Sequence, residues 1–215
     1  MQAFLGPGGR QLGIAERKGR ERAERERRII AAARGIAERE GWDAVTIRRL
    51  ADEIEHSQPV LYSHFRNRDA IVAAVAVEGF QEIALAFREA ATGSTGRNAL
   101  KNVAMAYLAF ARRHPALYAA MFVLPTDLRF AEAGTRPELH AAFEALAAVV
   151  TPFCVDVAAA TETFWAALHG LAELDRAGRI RPGARGERIA LVVRAMVVAG
   201  NNSPASGPNI RKGAR

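Results

Sequence analysis

"TIRRLADEIEHSQPVLYSHF", Thr46 to Phe65, is the stretch on which the fold of this chain turns. Thr46 carries a hydroxyl suited to accept from a free first-turn N–H, so a short helix is expected over "IRRLADEI". "EHS" follows as a turn, and Ser57 stands where it can cap another short helix. Pro59 falls in the first turn of that helix, where a missing N–H costs little. Leu50 and Ile54 of the earlier helix, with Leu61 and Phe65 of the later one, make a small apolar seam, and Ala51 leaves room at the crossing. Most of the remaining positions, among them Arg48, Gln58, Tyr62, Ser63 and His64, are polar. Two short helices, apolar behind and polar in front, are the pattern of a helix-turn-helix unit.

Upstream, Ile29, Ile30, Ala33, Ile36 and Ala37 recur at helical spacing, and Gly41 ends that helix. Before it, residues 15–28 hold seven basic and four acidic residues. Such a run suits a self-paired, solvated helix extension as well as an arm along DNA. Residues 1–14 are Gly-rich and without pattern, which predicts no fixed structure there. Downstream, a long helix is expected from Asp69 to Ala91 and another from Arg97 to His114. Further helices follow over Pro115–Phe122, Glu138–Val150, Asp156–Ala177 and Glu187–Ala199. No strand-period alternation occurs, so the fold class is all-α, about nine helices, with an N-terminal three-helix helix-turn-helix domain and a C-terminal helical bundle. The division expected is a charged or disordered arm over 1–22, the helix-turn-helix domain over 23–80, a second helical domain over 81–200, and a tail over 201–215.

The chain carries a net charge of +7, but residues 1–84 hold 14 basic against 13 acidic residues and residues 166–215 hold 9 against 3. A near-neutral N-terminal third disfavours a non-specific nucleic-acid binder. Cys154 is the single cysteine, so no internal disulfide can form, as suits a reducing cytoplasm. No signal peptide and no membrane span is expected; the nearest approach to a span is Ile189 to Gly200, interrupted by Arg194. No P-loop, CxxC, HExxH or Gly-x-Ser-x-Gly motif occurs, and His169 with Glu173 lacks a third metal ligand, so neither enzyme chemistry, nor a cofactor, nor a metal is expected.

"TIRRLADEIEHSQPVLYSHFRNRDAIVAAV", with its Leu61-Tyr62-x-His64-Phe65 signature, resembles the DNA-binding domain of the tetracycline-repressor (TetR) family of bacterial regulators. The resemblance spans residues 23–80. It implies that Arg48, Gln58, Pro59 and Tyr62 face bases, that Thr46, Tyr62, His64 and Arg68 contact phosphates, and that Ser63 lies among them. The chain departs from the family at the turn, where Glu55 and His56 replace a glycine and an apolar residue. Glu55 is therefore expected in the left-handed conformation, at a cost on the order of 1 kcal/mol.

"HPALYAAMF" and "FWAALHGLAELDRAGRI" resemble segments of a subset of these regulators with a Trp-x-x-x-His-Gly element, here Trp165, His169 and Gly170. Trp165 and His169 share a helix face. With Tyr107, Phe110, Tyr118, Met121 and Phe122 they either line a cavity for an apolar or aromatic effector or simply pack the core. Ile189, Leu191, Val192, Val193, Met196, Val197 and Val198 wrap the last helix more widely than one buried stripe needs, which predicts a homodimer. The reading that follows is a cytoplasmic, ligand-responsive repressor on a palindromic double-stranded DNA operator; the alternative is a helical small-molecule-binding protein without specific DNA binding.

Overall fold

The computed structural model describes residues 7–129 and 134–201. Among them nine α-helices and two single 3₁₀ turns occur and no strand. They are α1 (Pro7–Glu40), α2 (Ile47–Glu53), α3 (Gln58–Tyr62), α4 (Arg68–Ala91), α5 (Gly96–Arg113), α6 (Pro115–Phe122), α7 (Pro137–Val150), α8 (Val157–Arg176) and α9 (Arg185–Asn201). The expected tail from residue 202 lies outside the described residues.

The helices group into two compact units. One takes Met1–Gly79 together with His114–Arg136, and the other takes Phe80–Arg113 and Pro137–Arg215. The sequence division assigned residues 81–200 to one C-terminal domain; α6 packs instead with the N-terminal helices. The reason is local. The Glu38 carboxylate of α1 accepts from the backbone N–H groups of Ala116 (3.2 Å) and Leu117 (3.1 Å), the open N-terminus of α6. A carboxylate there satisfies orphan donors and favours the positive end of the helix dipole. The Trp42 indole donates to the Ala116 carbonyl at 2.8 Å. Gly79 of α4 meets the same helix: a Cβ there would stand 2.5 Å from Met121 Sδ and 2.9 Å from Leu117 Cδ1, so a larger residue would have to displace those side-chain ends.

In this unit Ile29, Ala33 and Ile36 of α1, Leu50 of α2, Leu61 of α3 and Ile71 of α4 are all 0% exposed. The first helix differs from expectation at its start. It begins at Pro7 rather than near Arg28: residues 7–14, expected without fixed structure, are helical, and residues 15–28 take the helix-extension form of the two expected for them.

In the second unit the core is built from Leu100, Val103 and Tyr107 of α5, Leu146 and Val150 of α7, Phe164 and Leu168 of α8, and Ile189 of α9. The Thr151–Phe153 3₁₀ turn separates α7 from α8, and the Asp156 carboxylate caps α8 by accepting from Ala159 N at 3.1 Å. Gly178, at φ 64°, closes α8. Asp175 then holds Arg185, the first residue of α9, at 2.6 Å. By length and composition α4 is apolar enough to cross a bilayer, a stronger candidate than Ile189–Gly200, but 61% of its apolar window is buried inside the protein, as in a core helix.

Candidate nucleic-acid interface

Two caps and one turn set the local geometry. Thr46 is in extended conformation and its hydroxyl accepts from Arg49 N at 3.1 Å, the N-cap expected. At the other end of α2, Glu55 N donates to the Asp52 carbonyl (3.3 Å) and His56 N to the Ala51 carbonyl (2.9 Å). That pair of bonds is a Schellman closure, which requires the residue after the cap to be left-handed. Glu55 sits there at φ 56°, as the sequence predicted. Replacing Glu55 with Gly removes the Cβ penalty, and the greater freedom of glycine in the unfolded chain takes back part of the gain. We expect a stabilisation of up to about 1 kcal/mol, a rise of roughly 2–4 °C in the melting midpoint. A midpoint unchanged or lowered in a calorimetric scan would show that the turn is not strained. Ser57 departs from expectation: it has cap backbone angles, but its side chain makes no capping bond to α3.

Behind the turn, Leu50, Ala51, Ile54 and Leu61 are buried and Phe65 is half-buried. In front, Thr46, Arg48, Gln58, Pro59, Tyr62 and Ser63 are exposed. Tyr62 leaves 55% of its surface in solvent, unusual for an aromatic residue directly after a buried leucine. Arg48 and Gln58 make no hydrogen bond or ion pair among the described residues, so their donors and acceptors are available. The Ser63 hydroxyl donates to the Val60 carbonyl at 2.6 Å and keeps its lone pairs for another donor.

His64 is placed otherwise than the resemblance implied, and Arg68, with its side chain 35% exposed, is partly engaged inside the unit. The His64 side chain is 3% exposed, with Nδ1 3.2 Å from the Glu26 carboxylate of α1. Arg68 donates from Nε to the Val45 carbonyl (2.8 Å) and from Nη2 to the Trp42 carbonyl (2.6 Å), closing the Trp42–Ala44 turn against α4. Both residues hold the helix-turn-helix to its neighbours, and His64 does so in place of extending its outer face. Sequence reasoning missed Asn67, whose side-chain carbonyl accepts from Ala70 N at 2.9 Å and caps α4. It also missed the Arg66–Asp127 ion pair at 2.5 Å. An Asn three residues before a helix N–H was a visible signal; Asp127, 61 residues away, was not.

The effector candidates divide between the units. In the second, Tyr107 and Phe110 are buried, and Trp165 and His169 half-buried. The Trp165 indole donates to the Tyr107 hydroxyl at 3.1 Å, and Phe87 stacks on Tyr107 with centroids 6.0 Å apart. Burial pushes the His169 imidazole below its usual range, against the opposite pull of Glu173, so the ring is neutral at pH 7. Tyr118, Met121 and Phe122 belong to α6 in the first unit, with Met121 seated on Gly79. Gly170 was expected to admit a neighbouring helix, yet a Cβ there would meet nothing within 4 Å. The space beside Gly170 on α8 is open among the described residues.

Comparison with known proteins fits this geometry. Residues 29–75 match the family described as bacterial regulatory proteins, tetR family, and residues 100–199 match the tetracyclin repressor-like C-terminal domain. The chain is 31% identical over 158 residues to the uncharacterized HTH-type transcriptional regulator Rv0681 of Mycobacterium tuberculosis, covering 70% of this chain and 69% of that protein. It is 38% identical over 72 residues to the HTH-type transcriptional repressor Rv1474c of the same organism, covering 33% of this chain and 38% of that one. A solved protein of unknown function from Rhodococcus sp. RHA1 superposes with a TM-score of 0.65 at 25% identity, over 80% of this chain and 93% of that one.

Proposed function

Since the chain belongs to the tetR family of bacterial DNA-binding transcriptional regulators, we propose that it is a repressor that grips a palindromic operator as a homodimer and is released by a small molecule bound in its second unit. The observation that carries this reading is the outer face of α2 and α3. Arg48, Gln58, Pro59 and Tyr62 stand exposed on a rigid apolar base of Leu50, Ala51, Ile54 and Leu61. In this assignment α3 is the recognition helix. Gln58 pairs with an adenine edge and Arg48 with guanine, while Pro59 and the Tyr62 ring offer apolar contact to a thymine methyl. The hydroxyls of Thr46, Tyr62 and Ser63 fix register on phosphates.

Support for the homodimer comes from apolar surface left open among the described residues. Leu191 and Val198 of α9 are 59% and 50% exposed. On α8, Ala159, Thr163, Ala166 and Gly170 recur at helical spacing with no large side chain, which lets another helix come close. A two-fold dimer would match a palindrome half-site for half-site.

The effector assigned to the second unit is apolar or aromatic. Trp165, Tyr107, Phe110 and His169 supply aromatic area with polar handles in the Trp165 indole and the Tyr107 hydroxyl. Release requires that the effector favour one spacing of the two recognition helices over another. The element that would carry it is α4, which starts in the first unit and ends in the second.

Selection from random duplexes tests the proposal. We expect enrichment of an inverted repeat whose half-sites lie about one helical turn, roughly 10 bp, apart or a multiple of it. Aromatic and acyl compounds that raise the melting midpoint of the protein should then release it from the enriched duplex. Enrichment of no sequence would leave the alternative, a helical small-molecule binder without specific DNA recognition.

A further inference from the structure

We propose that the N-terminal part of α1 is a second DNA-binding element, in which one basic face of the helix, centred on Lys18 and Arg25, grips the phosphate backbone beside the recognition helix. The inference rests on the regulator reading above and adds a site to it.

The face is defined by spacing. Lys18, Arg22, Arg25, Ile29, Ala33 and Ile36 follow one another at three- and four-residue steps, so they form a single stripe along α1. From Ile29 onward the stripe is core: Ile29, Ala33 and Ile36 are 0% exposed. Residues 13–24 are all exposed, and Arg25 and Glu26 are half-buried at the edge. The stripe therefore changes from apolar to basic where the helix leaves the domain, and its basic part looks to the same side as the core-facing part. None of the four carboxylates of residues 15–28 lies on the stripe; Glu16, Glu21, Glu24 and Glu26 all stand off it. A helix extension that only needed solvation would have no reason to sort its charges against the buried face.

The exit point is at the helix-turn-helix. Glu26 receives His64 Nδ1 at 3.2 Å, two residues beyond the end of α3, and Arg28 Nη2 donates to the Ile54 carbonyl at the end of α2. A helix rises about 1.5 Å per residue, so Lys18 lies roughly 12 Å along the axis from Glu26. That is about the width of a major groove, so an arm leaving beside α3 reaches the phosphates that border the groove α3 enters.

The charges needed are available. Arg17 pairs with Glu21 (3.7 Å), Arg22 with Glu26 (3.0 Å) and Arg27 with Glu24. Lys18, Arg20 and Arg25 stand outside these pairs, and exposed i,i+4 pairs are weak enough to yield to a phosphate. Seven basic residues against four acidic leave residues 15–28 at +3, the sign a phosphate backbone recruits.

The test uses the full chain and two double variants that remove equal charge at equal spacing. Lys18→Gln/Arg25→Gln empties the proposed face; Arg20→Gln/Arg27→Gln empties the opposite one. Binding is titrated at several salt concentrations on the duplex enriched by selection and on an unrelated duplex of the same length. Every phosphate that the arm no longer grips flattens the plot of log K against log salt by roughly 0.9. With one or two phosphates per arm and two arms per dimer, Lys18→Gln/Arg25→Gln should flatten it by about 2–4 on both duplexes, leaving their affinity ratio unchanged. Arg20→Gln/Arg27→Gln should flatten it by less than half as much. Circular dichroism checks the arm, and Lys18→Ala/Arg25→Ala replaces the first variant if glutamine costs helix. Parallel plots for wild type and the Lys18/Arg25 variant, or equal flattening in both variants, would overturn the assignment. Should the wild type prefer no sequence, the regulator reading fails, and the slopes on the unrelated duplex still decide the arm.

Discussion

Leu191→Glu gives a folded monomer, and its affinity for the enriched duplex drops to the level of unrelated DNA, a fall of about 10³-fold or more. The side chain is 59% exposed in the chain, so a carboxylate there disturbs nothing inside its own unit. In the proposed dimer interface the same carboxylate would be buried in an apolar setting without a partner. Val198→Glu, at 50% exposure, should act alike. Val193 is a poor choice despite its place in the apolar run: it is 3% exposed, and a charge there would unfold the unit that carries it. Light scattering decides. A soluble Leu191→Glu dimer with unchanged operator affinity would move the interface elsewhere. The effect is large because a monomer engages one half-site and forgoes the other entirely.

The second large effect is on sequence preference. Gln58→Ala and Arg48→Ala should each cost about 1–3 kcal/mol on the enriched duplex, roughly 5- to 150-fold, because each removes a pair of bonds to a base edge. Neither side chain is hydrogen-bonded within the described residues, so folding stability should hardly change. Binding to unrelated DNA should also stay, since that rests on phosphates. Equal weakening on the two duplexes would reduce Gln58 and Arg48 to backbone contacts.

How much of this was legible in the sequence depends on the range of the interaction concerned. Thr46 as a cap, Glu55 in the left-handed region and the buried seam of Leu50, Ile54 and Leu61 all follow from local spacing or from apolar periodicity, and all were readable. The start of α1 was not. Residues 7–28 have no apolar repeat, and ion pairs such as Arg22–Glu26 and Arg17–Glu21 accompany the helix there. His64 and Arg68 were readable as polar residues near a recognition helix, but their direction is set by Glu26 and by the carbonyls of Trp42 and Val45, distant in sequence. The same holds for α6. Nothing in "HPALYAAMF" announces that Glu38 will cap it or that Gly79 will give it room. Gly170 shows the reverse case, a glycine read as a site of close approach that meets nothing within 4 Å among the described residues.

Reading of DNA sequence by the outer face of α2 and α3 underlies both large effects above. It is tested most directly by the ratio of wild-type affinities for the enriched duplex and for a scrambled duplex of the same length and composition, measured at one physiological salt concentration. A ratio of about 10³ or more is expected. A ratio near one would contradict it, because the electrostatic contribution is the same for both duplexes and no base would be read.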